Sequence, residues 1–367
     1  MPNVKGVGAG KKVVVRARKE TPAVSNLRAA NAFPVAVVCS DLHLSHTAPR
    51  NRAEKGVDWY RVMDQSLDVV TNRATQLGVP LIIAGDIFHT WDNPAELVNF
   101  TIQRLSKARY KVYAIPGQHD LPNHNYEDVV KSSYWTLIES NVIEDMEPGY
   151  AYTYTPETNE ANNPVTVRLW PFPWGCAPHH PEKFDKDWDS ESPNLHVAVI
   201  HRYVWGNQDT GYPGAPEDQN VRAYALDPFN VSVFGDNHIG FSSIYQLLTR
   251  GGYPGRLFNC GAFMRRNIDQ KDYQIRYGLI MSDGTVIANS YRPTYDDKWT
   301  EQSVVQSLKE IANATSPLAR SEAVQAFIAE AGEMLVDFKD VVWKFIQTGK
   351  LPAEVRKILE EVTNVKP

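Results

Sequence analysis

The sequence predicts an α/β protein: a parallel sheet with helices packed on it, followed by a separate helical region. Three observations carry this. Short β-branched runs alternate with helical periodicity between Pro34 and Ile115, polar clusters rich in Asp and His close several of those runs, and strand signals cease after about Tyr295.

Taken in order, Pro34–Ser40 (PVAVVCS) reads as the first strand, and a loop rich in His, Pro, Asn and Arg follows it. Helical periodicity begins near Asp58, with Val62, Leu67, Val70 and Leu77 on one apolar face and Gly78 as its stop. Leu81–Ala84 (LIIA) is a second buried strand, and Pro94 suits the first turn of a helix over about Ala95–Lys107. Val112–Ile115 forms the third strand and runs into Pro116-Gly117. Strand, helix, strand, helix, strand implies a parallel sheet, and loops at the carboxyl ends of its strands face a common crevice. Val165–Trp170, His196–Ile200, Val231–Phe234, Arg256–Asn259 and Tyr277–Met281 read as later strands, and the polar Gly206–Asn220 as a long surface loop. Beyond them Phe327, Leu335, Phe338, Val342 and Phe345 recur at helical spacing, and Leu351-Pro352 opens a further short helix. The chain thus divides into a basic flexible tail over 1–30, a main domain over 31–295 and a helical domain over 296–367.

Bulk properties narrow the class. With 43% hydrophobic and 22% charged residues in 367, the chain reads as an ordinary soluble globular protein. No run approaches the ~18 apolar residues of a membrane span, so no membrane partner is expected. Cys39, Cys176 and Cys260 are odd in number and far apart, which excludes a disulfide framework and favours a reducing, cytoplasmic setting. A net charge of −5 excludes a uniformly cationic surface. The first thirty residues are locally basic, with Lys5, Lys11, Lys12, Arg16, Arg18, Lys19 and Arg28 against Glu20; this tail is either simply solvated or helps to hold polyanions.

The chemistry lies where Asp and His fall. Asp41 and His43 follow the first strand, Asp86 the second, and Gln118, His119 and Asp120 the third; His201 closes a later strand, and Asp236 and His238 another. Gly85, Gly117 and Gly235 stand just before ligand-type residues, where the chain must turn sharply or approach an ion closely. Each motif alone is weak, and a lone His201 is more often a structural histidine. Five in order, all on strand ends, point to a metal site with oxygen and imidazole donors, which suits Mn, Fe, Zn or Mg rather than a thiolate site.

These blocks resemble the calcineurin-like metallophosphoesterase superfamily, whose pattern is DxH, GDxx, GN[HE], H and GHxH. The resemblance covers about Val35–His238, extends on to Met281, and implies a β-sandwich flanked by helices. Within that group Gly85-Asp86-Ile87-Phe88-His89, Gly117-Gln118-His119-Asp120 and Cys260-Gly261-Ala262-Phe263-Met264-Arg265-Arg266 look most like SbcD-type DNA repair exonucleases and phage recombination endonucleases. Two positions depart from the pattern: Gln118 stands where Asn is usual, and Asp236 where the first His of GHxH is usual. Both keep a ligand atom, and the carboxylate biases the second ion toward Mn or Mg.

What the resemblance implies is a pair of divalent ions, Mn first, that clamp a phosphodiester and activate water. Asp41, His43, Asp86 and His238 would hold one ion, and Asp86, Gln118, His201 and Asp236 the other, with Asp86 bridging through its two oxygens. His119 would protonate the leaving oxygen or stabilise its charge. Asp120 is expected to orient His119, the plainer reading being a turn cap, and His89 is a second candidate near the phosphate. Arg50, Arg52, Arg202, Arg265 and Arg266 are candidates for contacting DNA phosphates. Trp174, Trp205 and Tyr203 would stack on bases or, more plainly, pack in the core. The implied activity is a DNA exo/endonuclease acting with an SMC-like ATPase subunit of the SbcC type that docks on the C-terminal helices, with homodimerisation also expected. The alternatives are a small-molecule phosphoesterase of the same fold and a scaffold that has lost a metal.

Overall fold

The structure is a computed structural model that describes residues 32–49, 58–157, 165–181, 195–204, 226, 228–249, 253–266, 270 and 273–292, with backbone alone for 244–249 and 253–254. The elements are β1 (Pro34–Cys39), α1 (Trp59–Leu77), β2 (Leu81–Ala84), α2 (Ala95–Leu105), β3 (Val112–Ile115), α3 (Ser133–Glu139), β4 (Glu144–Asp145), β5 (Tyr152–Tyr154), β6 (Val167–Phe172), β7 (Leu195–His201), β8 (Val231–Gly235), β9 (Phe241–Thr249), β10 (Tyr253–Asn259), β11 (Ile275–Met281) and β12 (Val286–Tyr291). The basic tail over 1–30, Arg50, Arg52, Trp205, the 206–220 loop and the helical region over 296–367 lie outside the described residues.

Two six-stranded sheets form, in the orders β12-β11-β1-β2-β3-β4 and β5-β6-β7-β8-β10-β9. Strands β1 to β4 run parallel, as the alternating pattern predicts. In the second sheet β6, β7, β8 and β10 are parallel, with β5 and β9 as antiparallel edges.

Strand side chains alternate between faces, so a run buried on both sides is hydrophobic throughout. Val38, Ile82 and Ala84 meet Val197, Val199, Val231 and Val233 between the sheets. Val37, Cys39, Leu81 and Ile83 face the other way, under Met63, Leu67 and Val70 of α1, Leu97 of α2 and Leu137 of α3. On the outside of the second sheet, Ala198, Ile200 and Phe234 pack with Trp170, Phe172 and Phe229. The result is a sandwich flanked by helices, the architecture that the resemblance implied. Full burial of one such side chain contributes about 1.5–3 kcal/mol.

Helix α1 starts and stops where its sequence signals stand: the Asp58 side chain accepts from the Arg61 N–H (3.1 Å), and Gly78 closes the helix at φ 70°. Pro94, expected inside the first turn of α2, stands one residue earlier as its N-cap with ψ 146°. Strands β4, β5, β9 and β12 and the short α3 carry too little periodicity to be read from sequence; β12 shows why, with Ile287 48% exposed on an edge. Among the described residues no helix is long and apolar enough to cross a membrane.

Candidate metal centre

Every candidate ligand leaves the carboxyl end of a strand. Asp41 and His43 follow β1, Asp86 follows β2, Gln118 and His119 sit in a 3-10 turn after β3, His201 ends β7, and Asp236 and His238 follow β8. The loops after β1 and β2 continue the pairing of their strands: Asp41 N–H donates to Gly85 O, His43 N–H to Asp86 O and His89 N–H to Leu44 O, each at 3.0 Å. Left-handed backbone concentrates here, at Asp41 (φ 51°), His43 (43°), Asp86 (54°) and Asp236 (85°). Such conformations cost of order 1–3 kcal/mol each and persist where surrounding structure over-determines them.

The glycines serve neighbouring side chains. A Cβ on Gly85 would lie 2.0 Å from His201 Nδ1, and one on Gly117 would lie 2.0 Å from Asp86 Oδ1. At Gly235 it would meet Ala84 O at 2.2 Å. The room these residues leave is filled by ligand imidazole and carboxylate, a refinement of the expected approach to an ion.

Two groups of donors result, with Asp86 between them. In the first, His43 Nε2 faces His238 Nε2 at 3.1 Å, and Asp41 Oδ1 lies 4.0 and 3.8 Å from these nitrogens. In the second, His201 Nε2 is 2.8 Å from Gln118 Oε1 and 3.3 Å from Asp86 Oδ2, and Gln118 Nε2 donates to Asp236 Oδ1 at 2.8 Å. Asp86 Oδ2 also lies 3.7 Å from His43 Nε2. All seven sequence-predicted ligands therefore converge.

The sequence pattern described as calcineurin-like phosphoesterase matches residues 35–240, more than half of the chain. The chain belongs to the calcineurin-like phosphoesterase family. No curated protein matches it significantly. Among solved structures, it is similar to a 5'-nucleotidase precursor from Thermus thermophilus, with TM-score 0.43, 12% identity, 83% of this chain and 59% of that chain covered. A second is TT1561 of the same organism, with TM-score 0.43, 9% identity, 71% of this chain and all of that one covered. The chain thus spans less than two thirds of the nucleotidase's length.

The donor set of this calcineurin-like phosphoesterase fits divalent cations. Metal–ligand bonds of about 2.0–2.2 Å place neighbouring ligand atoms roughly 3–3.5 Å apart, near the spacings above. Asp86 Oδ2 is buried and makes no hydrogen bond, while Oδ1 accepts the His119 N–H at 3.0 Å. A buried carboxylate oxygen without a hydrogen bond fits a site that would hold a cation. His201 Nδ1 faces the Ala84 carbonyl at 2.7 Å and must carry a proton there. With Nδ1–H so committed, Nε2 either holds a second proton among Gln118 Oε1 and Asp86 Oδ2 or turns its lone pair to a cation they share.

The charges agree. Burial pulls His201 down, but Asp86, Asp41 and Asp236 outweigh it and raise the imidazole to about 10. Burial pushes Asp41 up to about 7, and the charge of Asp86 adds to that against the pull of His201. Burial opposes ionisation of Asp86 too, yet His201 and His119 hold it down to about 2. Burial, with His119 and His238 beside it, keeps His43 well below its ordinary value and so neutral. Three buried carboxyl groups, Asp41, Asp86 and Asp236, thus face one imidazolium, a donor set that divalent cations would complement.

His119 stacks on His89, with ring centroids 5.4 Å apart and 19° between planes, and lies 4.9 Å from the His43 ring. Its Nδ1–H donates to the His89 carbonyl at 2.9 Å, which leaves Nε2 for proton work. Asp120 does not orient it. That carboxylate is fully buried and accepts the N–H groups of Phe88 (2.8 Å), Gly117 (3.0 Å) and Ile87 (3.1 Å), which ties the loop after β3 to the loop after β2.

The arginines also need correction. Arg265 and Arg266 are 5% and 7% exposed and present no surface to DNA, and Tyr203 is buried rather than open to bases. Arg202 and Trp174 are half-buried. Sequence reasoning missed the groups that hold the ligand turns. Asn259 Nδ2 donates to the carbonyls of Asn237 (2.7 Å) and Ile239 (2.8 Å), and Ser40 Oγ donates to Asp41. Asn237, inside Phe-Gly-Asp-Asn-His, was visible as a motif residue; Asn259 carried no local signal.

Proposed function

We propose that this protein is a DNA exo/endonuclease of the SbcD type that hydrolyses phosphodiester bonds with two divalent cations, Mn first, and works with an SMC-like ATPase subunit. The observation that carries the reading is how the segment singling out that subgroup joins the metal centre. Ala262 N–H donates to His238 O (3.0 Å), Phe263 N–H to Asp41 O (3.1 Å), and Arg266 Nη1 to His43 O (2.9 Å). The element is thus part of the site it accompanies in sequence.

Asp41, His43, Asp86 and His238 would hold one cation, and Asp86, Gln118, His201 and Asp236 the other. Bound there, the cations polarise a phosphate and activate water for in-line attack. His119, fixed by its Nδ1 bond to the His89 carbonyl, offers Nε2 to the leaving oxygen. His89 keeps the His119 ring parallel to its own and lines the same side of the pocket.

The test is a nuclease assay on linear duplexes with defined ends, in Mn, Mg and Zn, with and without an SMC-like ATPase subunit. Nucleotide release that disappears in His119→Ala is expected. Hydrolysis confined to nucleotides or phosphomonoesters would make the protein a small-molecule phosphoesterase instead.

A further inference from the structure

The two positions at which this chain departs from the family pattern touch each other. Gln118 and Asp236 are 118 residues apart in sequence, yet the Gln118 amide nitrogen donates to Asp236 Oδ1 at 2.8 Å. A carboxylate only accepts, so the amide must present its nitrogen to Asp236. Its oxygen is thereby turned to the other side, where it stands 2.8 Å from His201 Nε2. Asp236 is itself fixed: its N–H donates to Asp41 Oδ1 at 3.1 Å, from a backbone with φ 85°. An asparagine, one methylene shorter, would not span from the 118 backbone to this carboxylate. A histidine at 236 would offer a ring nitrogen of either role and would not dictate which end of an amide faces it.

We infer that Gln118 and Asp236 are one coupled substitution, in which Asp236 positions the Gln118 carbonyl oxygen toward the second cation and the pair shifts the relative preference of that position from Zn2+ toward Mn2+. This rests on the two-cation reading above. The selectivity follows from donor type, because carboxylate and carbonyl oxygens favour hard cations, whereas replacing one by imidazole shifts the site toward Zn2+. Asp236 acts here through Gln118 as well as by its own oxygen, so a variant at either position disables both.

The experiment is titration of the metal-stripped full-length protein with MnCl2 and separately with ZnCl2, followed by calorimetry and Mn2+ EPR. Gln118→Asn, Asp236→His, the shape-preserving Asp236→Asn and the double variant Gln118→Asn/Asp236→His are compared with the parent. Each single variant is expected to weaken the second Mn2+ by about 10–100-fold and leave the first unchanged. The double variant, which restores the family pattern, is expected to return to within about threefold of the parent and to favour Zn2+ more than the parent does. Losses that add in the double variant overturn the coupling, as does Gln118→Asn binding its second Mn2+ as tightly as the parent. A parent that binds fewer than two cations overturns the two-cation reading and the coupling with it.

Discussion

Arg266 donates through Nη1 to the backbone carbonyl of His43 at 2.9 Å, and the same nitrogen reaches Ser45 Oγ at 2.9 Å. Trp59 Nε1–H donates to that hydroxyl from the other side (3.1 Å), and its ring lies 6.0 Å from the guanidinium carbon. The arginine thus holds a left-handed turn that carries a ligand. Arg266→Met keeps the apolar stem and removes both bonds. Its unfolding free energy in urea, without metal, is expected to fall by about 3–6 kcal/mol, because two bonds to a charged donor contribute about 1.5–3 kcal/mol each. Arg266→Lys should recover only part, since an ammonium cannot reproduce the planar fork. Because the guanidinium is buried, the slope of log K for DNA against log salt should not change; a slope smaller by about one would mean that it touches a phosphate after all.

Asp120 ties together the two loops that carry Asp86 and His119. An amide in its place offers one oxygen to three N–H groups. Asp120→Asn is expected to lower stability by about 2–3 kcal/mol and to reduce kcat along with it, read by urea unfolding and steady-state kinetics. A variant of unchanged stability and collapsed kcat would restore the role of orienting His119 that the geometry denies it.

What the sequence made legible, and what it hid, follows from where each signal resides. LIIA and VYAI read as strands because both faces of β2 and β3 are buried, so hydrophobicity is continuous along them. Edge strand β12 alternates weakly, since much of it faces water. The ligands were legible because a metal needs particular atoms, and those residue types stood at strand ends. The Ala84 carbonyl that fixes His201 has no residue signature at all. Arg265 and Arg266 misled for the opposite reason: arginine is mostly a surface residue, yet both are buried, and the partners of Arg266, His43 and Ser45, lie more than two hundred positions away. The Gln118–Asp236 contact was visible only as two separate departures from a pattern.

Two glycines with positive φ should respond differently to a methyl group. At Gly85 (φ 92°) the added Cβ would lie 2.0 Å from His201 Nδ1, while at Gly175 (φ 86°) nothing lies within 4 Å. Gly175→Ala therefore costs only its backbone strain, about 1–2 kcal/mol. Gly85→Ala must also displace a ligand imidazole, so on the order of 3 kcal/mol or more is expected, with loss of the second cation. Thermal melts with and without MnCl2 separate the two: Gly175→Ala should keep the full Mn2+-induced rise in Tm, and Gly85→Ala should lose most of it. Equal penalties at both positions would refute the steric argument.

His196 gives the fold an acid sensitivity of its own. Trp170 Nε1–H can only donate, and it points at His196 Nδ1 from 3.1 Å, so that nitrogen must hold a lone pair and the ring must be neutral. Burial first, and the charge of Arg168 second, lower the imidazole from 6.5 to about 4. The sign follows: between those values the unfolded chain binds the proton and the folded one does not, so this contribution is complete above pH 6.5 and is lost as pH falls through about 4. At about 1.4 kcal/mol per pH unit, the whole effect is roughly 3 kcal/mol. His196→Phe keeps a ring beside Trp170 and removes the titrating group. Other groups change with pH in both proteins, so the readout is the difference between them in urea unfolding with chelator present. The stability of the parent relative to His196→Phe should decline by roughly 3 kcal/mol from pH 7 to pH 4. A difference that stays constant over that range would show that His196 is protonated within the fold, and the Trp170 bond could not then be as drawn.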